Sequence, residues 1–317
     1  MSISSNVTKQ KIGRGSFVML LSAASAWSNT DWRTFIQVLP VLFKLRIVSL
    51  LLLAATGGAF LGAGGWPGGS TLILLWITGG MAAAGSSALN QYLERDSDRM
   101  MKRTRQRPLV SGAIARPGWV PYVAALMILV PSLAVLPVNP ALTFFLLLGA
   151  MIYVGLYTLW LKPRTLLNIV LGGAAGSAAV LSGSAAAGTW NDAGAVTLAL
   201  LVFLWTPSHF WSLAIVYRDD YRRGGIPMLP TQTSLRFAAW WVLLHTIATA
   251  LAALMLVWHP ALGWLYLFPV GAATIDLLAR NIRLLVRPGA KAAFSLFKAS
   301  NLYLALILLI ACLDAFI

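Results

Sequence analysis

The stretch STLILLWITGGMAAAGSSALNQYLERDSDRMMKRTRQRPL, residues 70–109, decides the fold class. Residues 70–93 contain no charged side chain, whereas the segment that follows is dense in arginine, lysine and acidic residues. An apolar segment of about 20 residues is long enough to cross the hydrocarbon core of a bilayer as a helix. The stretch therefore predicts a membrane-spanning helix that ends in a charged loop.

The composition of the whole chain agrees with this prediction. The 317 residues are 59% hydrophobic and 10% charged, whereas soluble domains are about 45–50% apolar and about 25% charged. This excludes an ordinary soluble enzyme and makes the lipid bilayer the first partner. The net charge of +15 does not indicate nucleic acid, because a basic nucleic-acid binder carries its charge on a polar chain. A single cysteine, Cys312, excludes a disulfide framework.

Eight further apolar segments match the first in length, so we predict an all-α polytopic membrane protein with nine transmembrane helices. The fifth segment consists mostly of Gly, Ala and Ser. Small residues let helix backbones approach closely in lipid, which predicts tight packing or a pocket wall there. The nine segments lie near residues 46–66, 70–92, 118–137, 141–161, 165–188, 193–217, 236–258, 261–279 and 294–314.

The basic residues predict the orientation. With nine helices, all 24 lysines and arginines fall in the loops of one side or at the helix ends beside them. Short cytoplasmic loops collect Lys and Arg, so we predict a cytoplasmic N-terminus and an external C-terminus.

Residues 1–44 are predicted to form a cytoplasmic tail with a possible interfacial helix, and residues 45–317 the nine-helix domain. Residues 1–29 lack the unbroken apolar core of a secretory signal. Between Asp31 and Arg46 the apolar residues recur at near-helical spacing, which is typical of a helix lying in the interface. An early start of the first span, bent at Pro40, fits the pattern equally well.

The first charged loop carries the strongest candidates for chemistry. Asn90, Glu94 and Asp98 are spaced at i, i+4 and i+8, so a continuous helix would place their oxygens in one column about 12 Å long. Hard oxygen ligands suit Mg²⁺ together with a substrate phosphate. Arg103 and Arg107 follow, and guanidinium groups bind phosphate bidentately. The alternative is a set of solvated loop charges that pair with one another.

The second charged loop, residues 205–230, contains the adjacent acids Asp219 and Asp220 and lies on the same predicted side. At the start of this stretch, Pro207 lies inside the sixth predicted helix, and His209 falls at membrane depth. A polar group at that depth indicates a functional site, although a histidine beside a proline-kinked backbone has an equally plausible structural role.

These motifs resemble those of a known family. Asn90-x3-Glu94-x3-Asp98 with Arg103-Thr104-x2-Arg107-Pro108-Leu109 resembles the first signature of the intramembrane prenyltransferases of the UbiA superfamily. Four further segments look like its protohaem IX farnesyltransferase branch. They are Thr206–Trp211 and Asp220–Pro230, then Tyr157-Thr158-x3-Lys162-x2-Thr165 with Asn168, and Leu296-Phe297-x2-Ser300.

The resemblance implies nine helices around a central cavity and transfer of a farnesyl group from farnesyl diphosphate to the vinyl group of haem b, giving haem O. It also implies that Mg²⁺ assists ionisation of the diphosphate. The implied catalytic and metal-binding residues are Asn90, Glu94 and Asp98, with Asp219 and Asp220 as the second-loop counterpart. Which of these two aspartates binds the metal stays open.

The remaining site residues are assigned by their chemistry and by the resemblance. Cations neutralise the charge that develops on a leaving diphosphate, and an aromatic, water-poor cavity stabilises an allylic cation. For diphosphate binding we expect Lys102, Arg103, Arg107 and Lys162. For the acceptor or prenyl pocket we expect Tyr153, Tyr157, Asn168, Trp205, His209, Phe210, Trp211 and Tyr221.

The predicted location is a bacterial-type inner membrane, with the active site facing the cytoplasm and a downstream haem-modifying or oxidase-assembly protein as a further partner. Two alternatives remain. A sister prenyltransferase would share the first motif and act on a quinone precursor or a chlorophyll-type ring. A transporter would be expected to carry charged residues midway through its spans, whereas the acids here lie at helix ends.

Overall fold

A computed structural model describes the backbone of residues 32–317 and the side chains from residue 36 onward. Helices and turns account for this part of the chain, and it contains no β-strand, which confirms the all-α prediction. The helices are α1 (Trp32–Leu42), α2 (Leu45–Ala63), α3 (Gly69–Met100), α4 (Pro108–Ser111), α5 (Val120–Val135), α6 (Pro140–Leu161), α7 (Asn168–Ala186), α8 (Ala193–Val216), α9 (Arg218–Arg223), α10 (Leu229–Gln232), α11 (Leu235–Met255), α12 (Trp264–Val286) and α13 (Ala290–Phe316).

Eight helices of the described chain are long and apolar enough to cross a membrane. They are α2, α3, α5, α6, α7, α8, α11 and α13, where a short 3₁₀ turn extends α5 and α11 at one end. The predicted eighth span corresponds to α12, which has 23 residues but carries Asp276, Arg280 and Arg283. A multi-pass membrane protein is therefore confirmed, while the count of nine crossings stays a prediction.

The long helices bring the predicted inner loops together at one end and the predicted outer loops together at the other. At the first end, Lys44 Nζ donates a hydrogen bond to Asn90 Oδ1 at 2.5 Å. At the opposite end, the backbone N–H of Gly263 donates to Asp314 Oδ2 at 2.6 Å. The helices therefore alternate in direction. We call the first end the acid-rich end; its cytoplasmic location is still a prediction.

The small-residue helix α7 packs closely on α2. A Cβ atom added to Gly183 would lie 1.7 Å from the carbonyl oxygen of Ala55, and one added to Gly58 would lie 2.0 Å from the carbonyl oxygen of Val180. No side chain fits at either position, so the two backbones are in contact. The tight packing predicted for the fifth segment is confirmed, and α13 packs against α2 on another side.

Helix α1 is separate from α2, and the break lies beyond Pro40, which is inside α1. Lys44 has φ 49° and ψ 49° and is the one residue other than glycine with positive φ between residues 32 and 317. This conformation costs free energy in a side chain with a Cβ atom. Lys44 follows the end of α1 and immediately precedes the start of α2. Residues 1–31, which include most of the predicted tail, lie outside the described part.

Candidate active site

Helix α3 continues to Met100 and carries Asn90, Glu94 and Asp98 on one side, as the i, i+4, i+8 spacing predicts. All three side chains are buried, with exposed fractions of 1%, 7% and 1%. Buried charges are costly unless they are paired, so the interpretation as solvated loop charges is wrong for these residues. The column faces the interior of the bundle.

Two cations from different parts of the chain pair with this column. Lys162 Nζ, just after α6, lies 2.5 Å from Glu94 Oε1. Arg107 Nη1, just before α4, lies 2.5 Å from Asp98 Oδ2 and 3.9 Å from Glu94 Oε2. The structure thus brings predicted diphosphate-binding cations onto the predicted metal-binding acids.

Lys44 completes this group and was not among the predicted site residues. Its Nζ donates to Asn90 Oδ1 at 2.5 Å and to the Tyr153 hydroxyl at 3.1 Å. Burial, reinforced by the positive charges of Arg107 and Lys162, lowers the pKa of Lys44 to about 7, against the raising effect of the two carboxylates. A protonated Lys44 leaves three cations facing two carboxylates. This net positive charge suits an anionic ligand.

The second charged loop contributes Asp220, at the start of α9. Its Oδ2 accepts a hydrogen bond from the backbone N–H of Arg103 at 3.1 Å, and its Oδ1 pairs with the Arg223 guanidinium. Burial raises the pKa of Asp220. The Arg103 N–H and the Arg223 guanidinium lower this pKa by more than burial raises it, so the net shift is downward. An ionised Asp220 therefore ties the two predicted loops together.

Two predicted residues face away from this contact. Asp219 and Lys102 are exposed, and neither side chain has an ion pair or hydrogen bond within the described chain. Arg103, also exposed, lies over the rings of Tyr217 and Tyr221, at 5.5 and 5.8 Å from their centroids. Of the two adjacent aspartates, the structure brings Asp220 to the first loop and leaves Asp219 outside.

The second half of α6, Met151–Leu161, is a π-helix and supplies aromatic rings beside the cations. Tyr153 and Tyr157 stack at 5.9 Å with 9° between their planes. Lys44 lies 5.8 Å from the Tyr153 ring and Lys162 lies 5.7 Å from the Tyr157 ring. The predicted pocket residues Tyr153 and Tyr157 thus adjoin the charged column.

A second aromatic group surrounds His209 in α8. Its ring stacks between Trp205, at 4.3 Å, and Phe297 of α13, at 4.5 Å, and Phe210 meets it edge-on. Its Nδ1 shares a 2.6 Å hydrogen bond with Ser300 Oγ. Trp205 Nε1 also donates, to the Ser300 carbonyl at 3.0 Å. His209 is therefore held by side chains of a neighbouring helix rather than by a kinked backbone.

Trp211 does not join this group of rings, so its place in the predicted pocket stays a prediction. Residues two apart on an α-helix are rotated by about 200°, so Trp211 faces the opposite side of α8. It lies 5.3 Å from the ring of His245 in α11. The motif Thr206–Trp211 contains both His209 and Trp211, but it does not show that they face opposite sides of α8.

Asn168 and Tyr221 brace the second loop. Asn168 is fully buried, and its Nδ2 donates to the carbonyl oxygens of Thr165 and Pro227. Its Oδ1 is buried and has no hydrogen-bond partner. The Tyr221 hydroxyl accepts a 3.4 Å hydrogen bond from Arg103 Nη2. Both side chains therefore position the loop at the acid-rich end.

The surface grooves lie apart from these residues. A groove of about 700 Å³ lies along the contact between α2 and α13 and is lined partly by Arg46 and Lys298. The acidic column does not line this groove. A central cavity that joins the acids to the aromatic residues therefore stays a prediction.

The oxygen atoms of the column fit a hard cation. Among the described side chains, no three of His, Cys, Asp or Glu lie close enough together to hold a metal by themselves, and Glu94 and Asp98 each pair with a cation. One carboxylate oxygen is nevertheless free: Asp98 Oδ1 is buried and has no hydrogen-bond partner. A buried acceptor without a partner is costly, and Mg²⁺ prefers such oxygens.

Comparison with known proteins points to one family. Residues 50–307 match the model described as the UbiA prenyltransferase family. The chain is 39% identical to the protoheme IX farnesyltransferase of Metallosphaera sedula over 87% of this chain and 95% of that protein.

Solved structures agree on the fold. An apo UbiA homologue from Aeropyrum pernix aligns with a TM-score of 0.67 at 20% identity, over 85% of this chain and 96% of that one. A UbiA homologue from Archaeoglobus fulgidus bound to GPP and Mg²⁺ aligns with a TM-score of 0.57 at 15% identity, over 86% of this chain and 99% of that one.

Proposed function

The chain belongs to the UbiA prenyltransferase family, and from that premise we propose that it transfers the farnesyl group of farnesyl diphosphate to the vinyl group of haem b. The new C–C bond leaves a cation on the vinyl carbon next to the ring, and water adds there with loss of a proton, producing haem O and diphosphate. The observation that carries the proposal is the group of partly buried cations, Lys44, Arg107 and Lys162, around the buried carboxylates of Glu94 and Asp98. Charges enclosed within a membrane protein are costly and usually functional. The name of the Metallosphaera sedula relative supports haem b as the acceptor.

The diphosphate would bind by exchange of ion-pair partners. Arg107 and Lys162 hold carboxylates in the structure, and both can turn toward phosphate oxygens when the substrate enters. The planar guanidinium of Arg107 suits a phosphate better than a single-point cation does. Lys44 adds a third donor, and the exposed Lys102 and Arg103 would attract the anion at the entrance.

Bound Mg²⁺ would supply Lewis-acid neutralisation of the charge that develops on the departing diphosphate. The residues that would hold it are Asn90, Glu94 and Asp98, with Asp220 from the second loop. Asp98 Oδ1 is the oxygen available without breaking a contact. The Archaeoglobus fulgidus homologue of the same fold, which is bound to GPP and Mg²⁺, supports metal assistance of the transfer.

The farnesyl chain would be stabilised by aromatic faces. Loss of diphosphate leaves an allylic cation, which is attracted to the π-faces of aromatic rings. Tyr153 and Tyr157 present stacked rings next to the cations that would hold the diphosphate. Water must be excluded from this cation, and the apolar interior of the bundle provides that exclusion.

The flat haem acceptor would lie against the aromatic group on α8 and α13. Trp205, His209 and Phe297 stack on one another, and haem would extend this stack, because offset stacking is a favourable arrangement for aromatic groups. We assign Phe210, Asn168 and Tyr221 to the boundary of this pocket. Trp211 faces α11 and lies outside this stack.

We also propose that the acid-rich end faces the cytoplasm of a bacterial-type inner membrane. The collection of basic residues at that end supports this orientation. Farnesyl diphosphate would then reach the site from the cytoplasm, and haem O would pass to a haem-modifying or oxidase-assembly protein.

The test is a reaction of membranes containing the protein with haem b, farnesyl diphosphate and Mg²⁺. We expect haem O by mass spectrometry, in step with diphosphate release. The variant Glu94→Gln should lose both products. The matched control Asp276→Asn, which removes an acid paired with Arg280 on the exposed surface, should retain them.

Two results would contradict the proposal. Farnesylation of a quinone precursor with haem b unchanged would indicate a sister prenyltransferase. Diphosphate that is never released with any acceptor would argue against prenyl transfer and favour transport.

A further inference from the structure

The π-helical part of α6 sets which residues meet the acidic column. In a π-helix the hydrogen bond joins residues five apart, which places them on the same face. In an α-helix the same residues are rotated by about 140° from each other, given 3.6 residues per turn. Tyr153 and Thr158 are five apart, and so are Tyr157 and Lys162. The Lys162 N–H accordingly donates to the Tyr157 carbonyl at 2.8 Å.

The hydroxyl of Thr158 is the point where this face touches Asn90. Thr158 Oγ1 donates to the Tyr153 carbonyl at 2.7 Å, which uses its single proton. It can then only accept from Asn90, whose Nδ2 lies 2.9 Å away. On the other side, the Nζ of a protonated Lys44 can only donate, so Asn90 presents its oxygen there. The orientation of the Asn90 amide is therefore fixed from both sides.

We propose that Thr158 is a positioning residue that holds the Asn90 carboxamide with its oxygen toward the diphosphate-metal site. Thr158 reaches Asn90 because residues 151–161 are π-helical. The proposal rests on the proposed function, since it takes Asn90 Oδ1 as a ligand of the metal-diphosphate substrate. Residues that orient a metal ligand through a hydrogen bond typically change affinity or activity by about 10–100-fold when they are lost.

The variant Thr158→Val tests the proposal, because it keeps the shape and removes the hydroxyl. The Asn90 Nδ2 then has no acceptor at residue 158, so the amide is held from the Lys44 side alone and is free to turn away from the metal-binding orientation. We expect Mn²⁺ affinity, measured by electron paramagnetic resonance with inorganic pyrophosphate present, to fall about 10–100-fold. The kcat/KM for farnesyl diphosphate should fall by a similar factor.

Two further variants separate positioning from a structural role. Thr158→Ser keeps the hydroxyl and should restore Mn²⁺ affinity. Thr246→Val is the matched control: Thr246 is equally enclosed in α11, and its hydroxyl donates to the Val242 carbonyl. It should change neither measurement. If Thr158→Val fails to accumulate in the membrane, Thr158→Ala takes its place.

A double variant tests whether Thr158 acts by orienting the Asn90 side chain. A carboxylate at position 90 presents an oxygen whichever way it turns, so it does not need Thr158 to orient it. In the Asn90→Asp background, Thr158→Val should therefore cost much less than it does in the parent protein. Equal losses in both backgrounds would contradict the proposal.

The remaining outcomes distinguish this inference from the proposed function. Full Mn²⁺ affinity and activity in Thr158→Val, together with loss of both in Asn90→Ala, would overturn the positioning role and leave the function intact. Unchanged values in both variants would overturn the assigned site.

Discussion

Acidic residues at the two ends of the bundle hold different partners. At the acid-rich end, Glu94 and Asp98 pair with the side-chain cations Lys162 and Arg107. At the opposite end, the hydrogen-bond donors are backbone groups at helix N-termini, and Asp192 also lies 3.5 Å from His259 Nε2. Asp192 accepts from the N–H of Ala195, and Asp314 accepts from the N–H groups of Gly263 and Tyr266.

The kind of partner distinguishes acids that can exchange partners with a ligand from acids that cap a helix. A backbone N–H at a helix start has a fixed position and needs an acceptor, so Asp192 and Asp314 complete their helices. A lysine or arginine side chain can leave its carboxylate when a stronger anion arrives. The acid-rich end therefore has exchangeable charges, and the opposite end has structural ones.

The largest effect that would separate the two ends is the loss of activity in Glu94→Ala and Asp98→Ala. Each change removes a proposed metal ligand and leaves a buried cation without its partner. Removal of one preorganised charge-stabilising group costs about 10²–10³-fold in rate, so we expect Mg²⁺-dependent haem O formation to be nearly abolished. Chromatography with mass spectrometry measures it.

The accumulation of both variants in the membrane should match the parent protein. Undiminished turnover in both would remove the metal assignment, and with it the contrast between the two ends.

A smaller effect is expected for Arg107→Ala. Hydrogen bonds to charged groups contribute about 1.5–3 kcal/mol, which corresponds to a rise of about 10–100-fold in the KM for farnesyl diphosphate. The KM for haem b should change little. Arg164→Ala is the control, because Arg164 lies on the same end and bonds only the backbone carbonyls of Leu159 and Trp160. Equal loss of affinity for both substrates would argue against a diphosphate role.

The two adjacent aspartates allow a finer comparison within the acid-rich end. Asp220 contacts the first loop, whereas Asp219 is exposed. We expect Asp220→Asn to lower kcat/KM by about tenfold, the low end of the range for groups that support a metal site. Asp219→Asn should stay near the parent value. The reverse order would assign the second-loop metal ligand to Asp219.

Part of the fold and of this site could be predicted from the sequence. Charge and hydropathy predicted the spans, and the spacing of Asn90, Glu94 and Asp98 predicted the column, because an α-helix repeats regularly. Helix α12 is less clear in sequence, since Asp276 and Arg280 form an exposed ion pair within it.

The other features of the site depend on contacts between residues far apart in sequence, which helix periodicity does not predict. In the sequence, nothing distinguishes Lys44 from the other basic residues. In the structure, it lies at the break between α1 and α2, and its side chain reaches Asn90. The π-helix changes the facing of Thr158 and Lys162, and nothing in the apolar sequence of residues 151–161 distinguishes it from an α-helix. Trp211 was grouped with His209 because they are neighbours in sequence, although α8 separates their faces.

The smallest effect on activity is expected at the opposite end, from Asp314→Ala. Gly263 precedes α12 and has no side chain to cap it, so Asp314 of α13 supplies the acceptor. Loss of a helix cap costs about 1 kcal/mol, and we expect thermal unfolding in detergent to begin a few degrees lower. Haem O formation per folded molecule should be unchanged, because no substrate group is proposed near α12's first turn. A loss of turnover without a change in unfolding temperature would mean that acids at both ends serve the reaction.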